Sequence, residues 1–345
     1  MSEPELRAGP ESERAAAVDL PVGGQAVIEG VMMRVPGRIV VAVRRPDGTI
    51  AVHEQAHVAM TRRHRWLDVP VVRGAVSFAE MLAVGIRALN YSAEVALGED
   101  GRAPAAAVAP APVPVPAAGT RWRERAGLAI AMAAAMGLGI GLFFFVPLLI
   151  AQALGIERGA VHFNVVAGAA RVCLLLLYLW SISQWREIRR VFQYHGAEHK
   201  SIWTLEEGGD LTVAQARRQS RLHPRCGTSF LLIVALVAVV VFSTVDGLFA
   251  VVFGHQQGLL ERFATHLAVL PVIGGVGFEL LKLSGRTRHH AVTRALVAPG
   301  LWLQRITTRE PDDGQLEVGL TALHRALAAV QGEGASLPAS GAAGP

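Results

Sequence analysis

The chain has 345 residues, 52% of them apolar and only 18% charged, which allows more than one domain but falls short of the roughly 25% charge usual in soluble proteins. The formal charge of +5 comes from Arg residues beside long apolar runs rather than from a dense Lys/Arg tract, which points to a membrane surface and against nucleic acid. Two cysteines, Cys173 in an apolar run and Cys226 in a polar stretch, exclude a disulfide framework and leave Cys226 as a thiol able to bind metal.

Residues 1–20 carry Glu3, Glu5, Glu11 and Glu13 and no apolar run, so they read as a disordered tail, not a signal peptide; insertion then uses an internal segment. Residues 21–102 divide into a β-rich unit and a helix. The β-branched run 39–43 and the run 49–52 flank Pro46-Asp47-Gly48 as a hairpin, and 25–34 offers a further strand. Over 74–97, Phe78, Leu82, Ile86 and Leu89 recur at helical spacing, while Glu80 and Arg87 interrupt the apolar run, which predicts an interfacial helix. Repeated Pro makes 103–120 an extended linker.

Region 121–285 holds four apolar segments, about 127–150, 160–182, 227–245 (ending before Asp246) and 263–281. Each approaches the roughly 20 helical residues that cross a hydrocarbon core. Two carry an internal charge, Arg171 in the second and Glu279 in the fourth, and charges inside spans default to functional candidates. Arg171 either pairs with a carboxylate in the bundle or snorkels to an interface. Arg121, Arg123 and Arg125 precede the first span, Arg186, Arg189 and Arg190 follow the second, and Lys282, Arg286 and Arg288 follow the fourth, while the connections 151–159 and 246–262 hold one Arg each. The positive-inside rule then puts both termini and the loop 183–226 in the cytoplasm.

Residues 286–331 form a C-terminal cytoplasmic segment, with a polar turn at Pro311-Asp312-Asp313-Gly314 and a helix around 316–330; 332–345 is a second tail. Neither end of the chain is large enough to bury a core alone. The expected fold is therefore a multi-pass α-helical membrane protein of the cell membrane, with four transmembrane helices and a small cytoplasmic α+β part formed by the N- and C-terminal regions.

The chemistry concentrates in the loop. His195-Gly196-Ala197-Glu198-His199 is an H-x-x-E-H word; on a helix, His195 and His199 face one way and can chelate one Zn²⁺, with Glu198 placed as general base. A plain juxtamembrane helix, with Lys200 and the histidines at the headgroups, is the bland alternative. His223-Pro224-Arg225-Cys226 adds a His-x-x-Cys half-site in the same loop, and three N ligands with one S suit zinc. Three bound ligands would leave an open, catalytic position; all four would close a structural site. Glu29 and Arg34, in Gly23-Gly24-Gln25-Ala26-Val27-Ile28-Glu29-Gly30-Val31-Met32-Met33-Arg34, are further candidates, although a strand flanked by turns explains that run and it lacks the Lys-Ser/Thr of a phosphate loop. His53, His57 and His64 read as surface residues, His289-His290 as headgroup contacts, Met32-Met33 as core and Trp302 as an interface anchor.

These words, together with His223-Pro224-Arg225-Cys226-Gly227-Thr228-Ser229 and Ala298-Pro299-Gly300-Leu301-Trp302-Leu303-Gln304, resemble the YqhQ-like family of uncharacterised bacterial membrane proteins over about residues 21–325. The resemblance implies a metal-dependent enzyme, the label that family carries, but no particular reaction. None of the four ligand positions departs from the pattern.

Three functions follow as expectations. One is a zinc-dependent hydrolase at the cytoplasmic membrane face, acting on a peptide, a membrane-protein segment or a lipid-linked compound. Another is a non-enzymatic scaffold or assembly factor with a structural zinc site. The third is a transporter; four spans without an internal repeat would then require a homo-oligomer. Beyond the lipid bilayer, a membrane-protein or lipid-linked partner is expected, and no nucleic acid.

Overall fold

The computed structural model describes residues 20–98, 118–156, 161–224, 226–286 and 291–334. The expectations for 1–19, 103–117 and 335–345, and for Arg288, His289 and His290, lie outside the described residues.

Four strands, β1 (Gly23–Val27), β2 (Gly30–Val35), β3 (Gly37–Arg44) and β4 (Ile50–His57), form one antiparallel meander in chain order. The run expected as a single strand over 25–34 is two strands, folded back at Ile28-Glu29, where Glu29 takes a φ of 51°. That conformation is uncommon for a residue with a side chain. It is held by the carboxylate, which pairs with Arg190 (Nη2 to Oε2, 2.6 Å) and accepts from the Tyr194 hydroxyl at 3.2 Å. Glu29 thus fastens the hairpin tip.

The helices follow as α1 (Val72–Ala96), α2 (Ala118–Ile140), α3 (Val146–Ala153), α4 (Val161–Ile182), α5 (Arg186–Glu206), α6 (Val213–Arg218), α7 (Thr228–Phe253), α8 (Leu259–Arg286), α9 (Ala291–Thr307) and α10 (Asp313–Gly334). Because successive side chains on a strand point to opposite faces, an unbroken apolar strand needs cover on both. Val27, Met32, Ile39, Val41 and Val43 pack against Val84, Ala88 and Val95 of α1. Val31, Met33, Val35, Val40 and Ala42 pack against Tyr194, Ile202 and Leu205 of α5 and Val318, Leu323 and Ala326 of α10. The sheet is the middle of a three-layer unit built from both ends of the chain and the central connection. Asp312 and Gln315 start α10 with reciprocal side-chain-to-backbone bonds of 2.8 and 2.9 Å, a capping box.

Four helical stretches are long and apolar enough to cross a membrane: Ile130–Ala153, Val161–Ile182, Phe230–Phe253 and Leu259–Leu283. The chain is a multi-pass helical membrane protein. The helix entering the first span begins at Ala118, so 118–120 are not linker. The third span does not stop before Asp246. It continues to Phe253 because Asp246 is neutralised inside the bundle: Arg262 lies 3.0 Å from Oδ2, His266 Nε2 lies 2.9 Å from Oδ1, and Asn164 donates to Oδ2 at 2.7 Å. For the same reason the fourth span starts at Leu259, ahead of Arg262.

The two charges visible in the sequence also find partners. Glu279 forms a two-pronged ion pair with Arg73, at 2.7 and 2.6 Å, tying the fourth span to the start of α1. Among the described residues Arg171 pairs with no carboxylate. Its Nε donates to Phe143 O at 2.8 Å, in a π turn (Gly141–Phe145) that joins α2 to α3, and its guanidinium lies 5.5 Å from the Phe242 ring centre. Such a turn breaks the regular helical ladder and so makes a main-chain oxygen available to a side chain.

Candidate metal centre

Helix α5 carries the H-x-x-E-H word. Trp185 precedes it in extended conformation and Glu187 sits in its first turn, where a negative charge meets the helix dipole favourably. One turn apart, the His195 and His199 rings lie 4.4 Å centre to centre. His195 Nδ1 is 2.8 Å from Thr307 O, and His199 Nδ1 is 2.6 Å from Arg221 O. A carbonyl only accepts, so each Nδ1 carries the proton and each Nε2 presents a lone pair. His195 Nε2 lies 3.3 Å from Cys226 Sγ, whereas His199 Nε2 is buried without a hydrogen-bond partner among the described residues.

The ligand atoms of His195, His199 and Cys226 all fall within 4.8 Å of one another. Tetrahedral zinc with bonds of about 2.0 Å to N and 2.3 Å to S separates such atoms by roughly 3.5 Å, close to the spacing seen. The cluster is able to coordinate a metal ion, and the orphaned lone pair of His199 is the feature a metal would satisfy. Burial, with His195 adding to it, lowers the pKa of His199 and favours the neutral, ligating form; contact with Cys226 opposes this.

His223 stands outside this group; of the two arrangements the sequence left open, three ligands or four, the cluster among the described residues has three. Its Nε2 lies 3.1 Å from Glu206 Oε1, and its ring centre is 5.7 Å from that of His199. Glu206, a partly covered carboxylate one turn beyond Ile202, takes the imidazole that sequence spacing offered to the cluster. Lys200 is not at the headgroups either: it is 2% exposed, donates to Arg217 O at 2.9 Å and pairs with Glu310.

Glu198 is buried, and burial pushes its pKa up to about 7 against the opposing influence of His195. With His199, His223, Cys226, Gly24 and Arg34 it lines a cavity of about 250 Å³. Three separate sequence words therefore meet at one place. Gly24 permits it: a Cβ there would stand 2.6 Å from Glu198 Oε1. Met81 of α1 and Leu281 of α8 complete the wall, so the cavity reaches the end of the fourth span. Arg34 belongs to the cavity; Glu29, Arg171 and Glu279 are held elsewhere by the contacts described above.

Sequence reasoning passed over Gln304, whose Oε1 and Nε2 bind the main chain of His223. Its signal was a lone amide at the end of the apolar word 298–304. Asn164, Asp246, Arg262 and His266 were also passed over; their signal was a set of polar residues at helical spacing on the flanks of apolar runs.

The family model described as "Protein of unknown function (DUF1385)" matches residues 69–329. This chain belongs to that family. The DUF1385 match takes in Glu198, the three ligands and Gln304, and the sheet β1–β4 lies ahead of it. "Uncharacterized protein YqhQ" of Bacillus subtilis (strain 168) is 32% identical over 309 residues, which cover 88% of this chain and 92% of that relative. No solved structure matches the chain.

Proposed function

We propose that this DUF1385 chain is a zinc-dependent hydrolase working at the cytoplasmic face of the membrane. One observation carries the reading: the cluster offers three protein ligands, His195, His199 and Cys226, beside a cavity lined by a carboxylate from the same helix. Catalytic zinc sites keep three protein ligands and one open position, whereas structural sites close with four. A zinc ion held there supplies Lewis acidity. Glu198 takes the proton from the attacking water and returns it to the leaving group. Arg34 binds a negative or carbonyl oxygen of the substrate, while Met32, Met81, Val84 and Leu281 exclude bulk water and receive an apolar portion. The cavity's contact with the end of the fourth span favours a substrate delivered from the bilayer, a membrane-protein segment or a lipid-linked compound.

The Lys/Arg distribution supports the cytoplasmic side. A cytoplasm-only fluorescent reporter fused at the C-terminus should be active, and a periplasm-only phosphatase silent; the reverse pattern would overturn this orientation.

A structural zinc site is the second reading. It is favoured by the way Thr307 O and Arg221 O fix the two imidazoles, so that metal would fasten α9 and the 219–227 loop onto α5. Zinc content and X-ray absorption on detergent-purified protein, beside a His195→Ala/His199→Ala variant, separate the two. One zinc with an oxygen in its shell, lost in the variant, is the expected result. A closed shell of nitrogen and sulfur that includes His223 would replace the hydrolase with the structural reading. Absence of bound metal would overturn both.

A further inference from the structure

A larger cavity lies inside the membrane bundle, away from the metal centre. It measures about 630 Å³ and is walled by α2, α4, α7 and α8. The walls are apolar apart from Arg171 and His266. Both polar groups bear on one ring: the His266 imidazole stacks on Phe242 at 3.8 Å, and the Arg171 guanidinium stands 5.5 Å from the centre of the same ring.

Each group has polar atoms left over. Arg171 spends Nε on Phe143 O, and its two Nη nitrogens have no hydrogen-bond partner among the described residues. His266 is 1% exposed, with Nε2 on Asp246 Oδ1 and Nδ1 buried without a partner. Asp246 also accepts from Arg262 and Asn164. His266 Nε2 is engaged by Asp246, which leaves Nδ1 as the nitrogen free to meet a ligand. A lone guanidinium and an unused imidazole nitrogen in a low-dielectric setting are costly unless something completes them.

We infer that this cavity is a binding site for a long-chain fatty acid, its carboxyl group received by Arg171 and His266 and its chain by the apolar walls. A carboxyl group is the small head that meets both demands, one oxygen accepting from the guanidinium and the other sharing a hydrogen bond with the imidazole nitrogen. The volume lies within the roughly 300–1,000 Å³ of small-molecule sites. Arg171 sits mid-helix in α4, deep for a bulky phospholipid head whose charge stays at the interface, but reachable by a carboxyl group at the end of one chain. The fatty acid is independent of the metal centre, and neither reading depends on the other.

The test is a fluorescence titration with cis-parinarate on the full chain in nanodiscs of neutral phospholipid. One site per chain is expected, with oleate displacing the probe and methyl oleate weaker by about tenfold or more, the loss of a charge-assisted hydrogen bond. Arg171→Met should lose affinity to a similar degree, and Arg171→Lys should recover part of it. Ala235→Phe fills the cavity without touching the polar network and should remove binding, so it decides the matter even if Arg171→Met fails to fold. Equal competition by oleate and methyl oleate, or wild-type binding in Ala235→Phe, would overturn the inference and leave simple partitioning into lipid.

Discussion

Gln304 holds the main chain of His223 from both sides, accepting from its N–H at 2.8 Å and donating to its C=O at 2.9 Å. The side chain is fully buried and comes from α9, far along the chain from the loop it grips. Because Cys226 follows three residues later, this clasp sets where the thiol ligand stands. Replacing Gln304 by Leu strands the buried His223 N–H, at about 1–3 kcal/mol, while His223 O keeps the Cys226 N–H at 3.2 Å. It should also weaken metal binding by about tenfold or more, as loss of an outer contact does elsewhere. Thermal unfolding and chelator competition measure the two effects; unchanged metal affinity would mean that the loop holds its shape unaided.

The buried carboxyl of Glu198 gives the metal-free protein a pH signature. Its folded-state pKa is raised from 4.5 to about 7, so folding favours the protonated form. There is no penalty below about pH 4.5; it grows as pH rises to about 7 and is complete above that. Glu198→Gln removes it and should stabilise the metal-free protein at alkaline pH, by at most about 3 kcal/mol, with no gain in acid. Unfolding curves at the two ends of the range decide this. Equal stability of the two proteins at both would show a solvated carboxylate.

Two glycines should respond differently to a single methyl group. At Gly196 a Cβ would stand 2.1 Å from Arg309 O, a backbone atom that cannot step aside. Gly196→Ala should therefore separate α5 from the segment before α10 and cost about 3 kcal/mol or more. At Gly24 the obstacle is the end of the Glu198 side chain, which can rotate. Gly24→Ala should keep most of the stability while displacing the carboxylate from the cavity. Comparable melting temperatures for the two variants would contradict this contrast.

Inside the bundle, Asp246→Ala deprives Arg262 and His266 of their shared carboxylate. Breaking one side of a buried pair costs about 3–5 kcal/mol in soluble proteins, and contacts within a bilayer run lower. A clear drop in melting temperature in detergent is expected, larger than for Cys173→Ala on the exposed side of α4. Equal effects would remove Asp246 as a structural hub.

The sequence made the spans legible because the bilayer demands long apolar helices, and it marked His195, His199 and Cys226 because ligand types are few. Which histidines join the cluster was not legible. His223 carries the right atoms at a plausible spacing, and only the packing of Glu206 and Gln304 around it shows where the ring goes. Asp246 misled the reading of the third span for a similar reason. A charge ends an apolar run when it is alone, and its partners here come from helices before and after it. Glu29 shows the same limit at smaller scale: an acid in an apolar run became a turn because Arg190 and Tyr194, on another element, wait for it.

The three-layer unit also constrains how the molecule is made. Arg44 on β3 bonds Glu317 on α10, 273 residues later in the chain. During synthesis one face of the sheet is complete early, once α1 emerges, while the other takes part of its cover from α5 and the rest only when α10 leaves the ribosome. The spans are therefore made while Val31, Met33 and Val40 still lack the cover of α10. An exposed apolar strand face is prone to mispairing during such a wait. The nascent chain has α5 to settle first on that face, and a ribosome stalled before α10 would display a half-covered, sticky sheet on a protein already locked in the membrane.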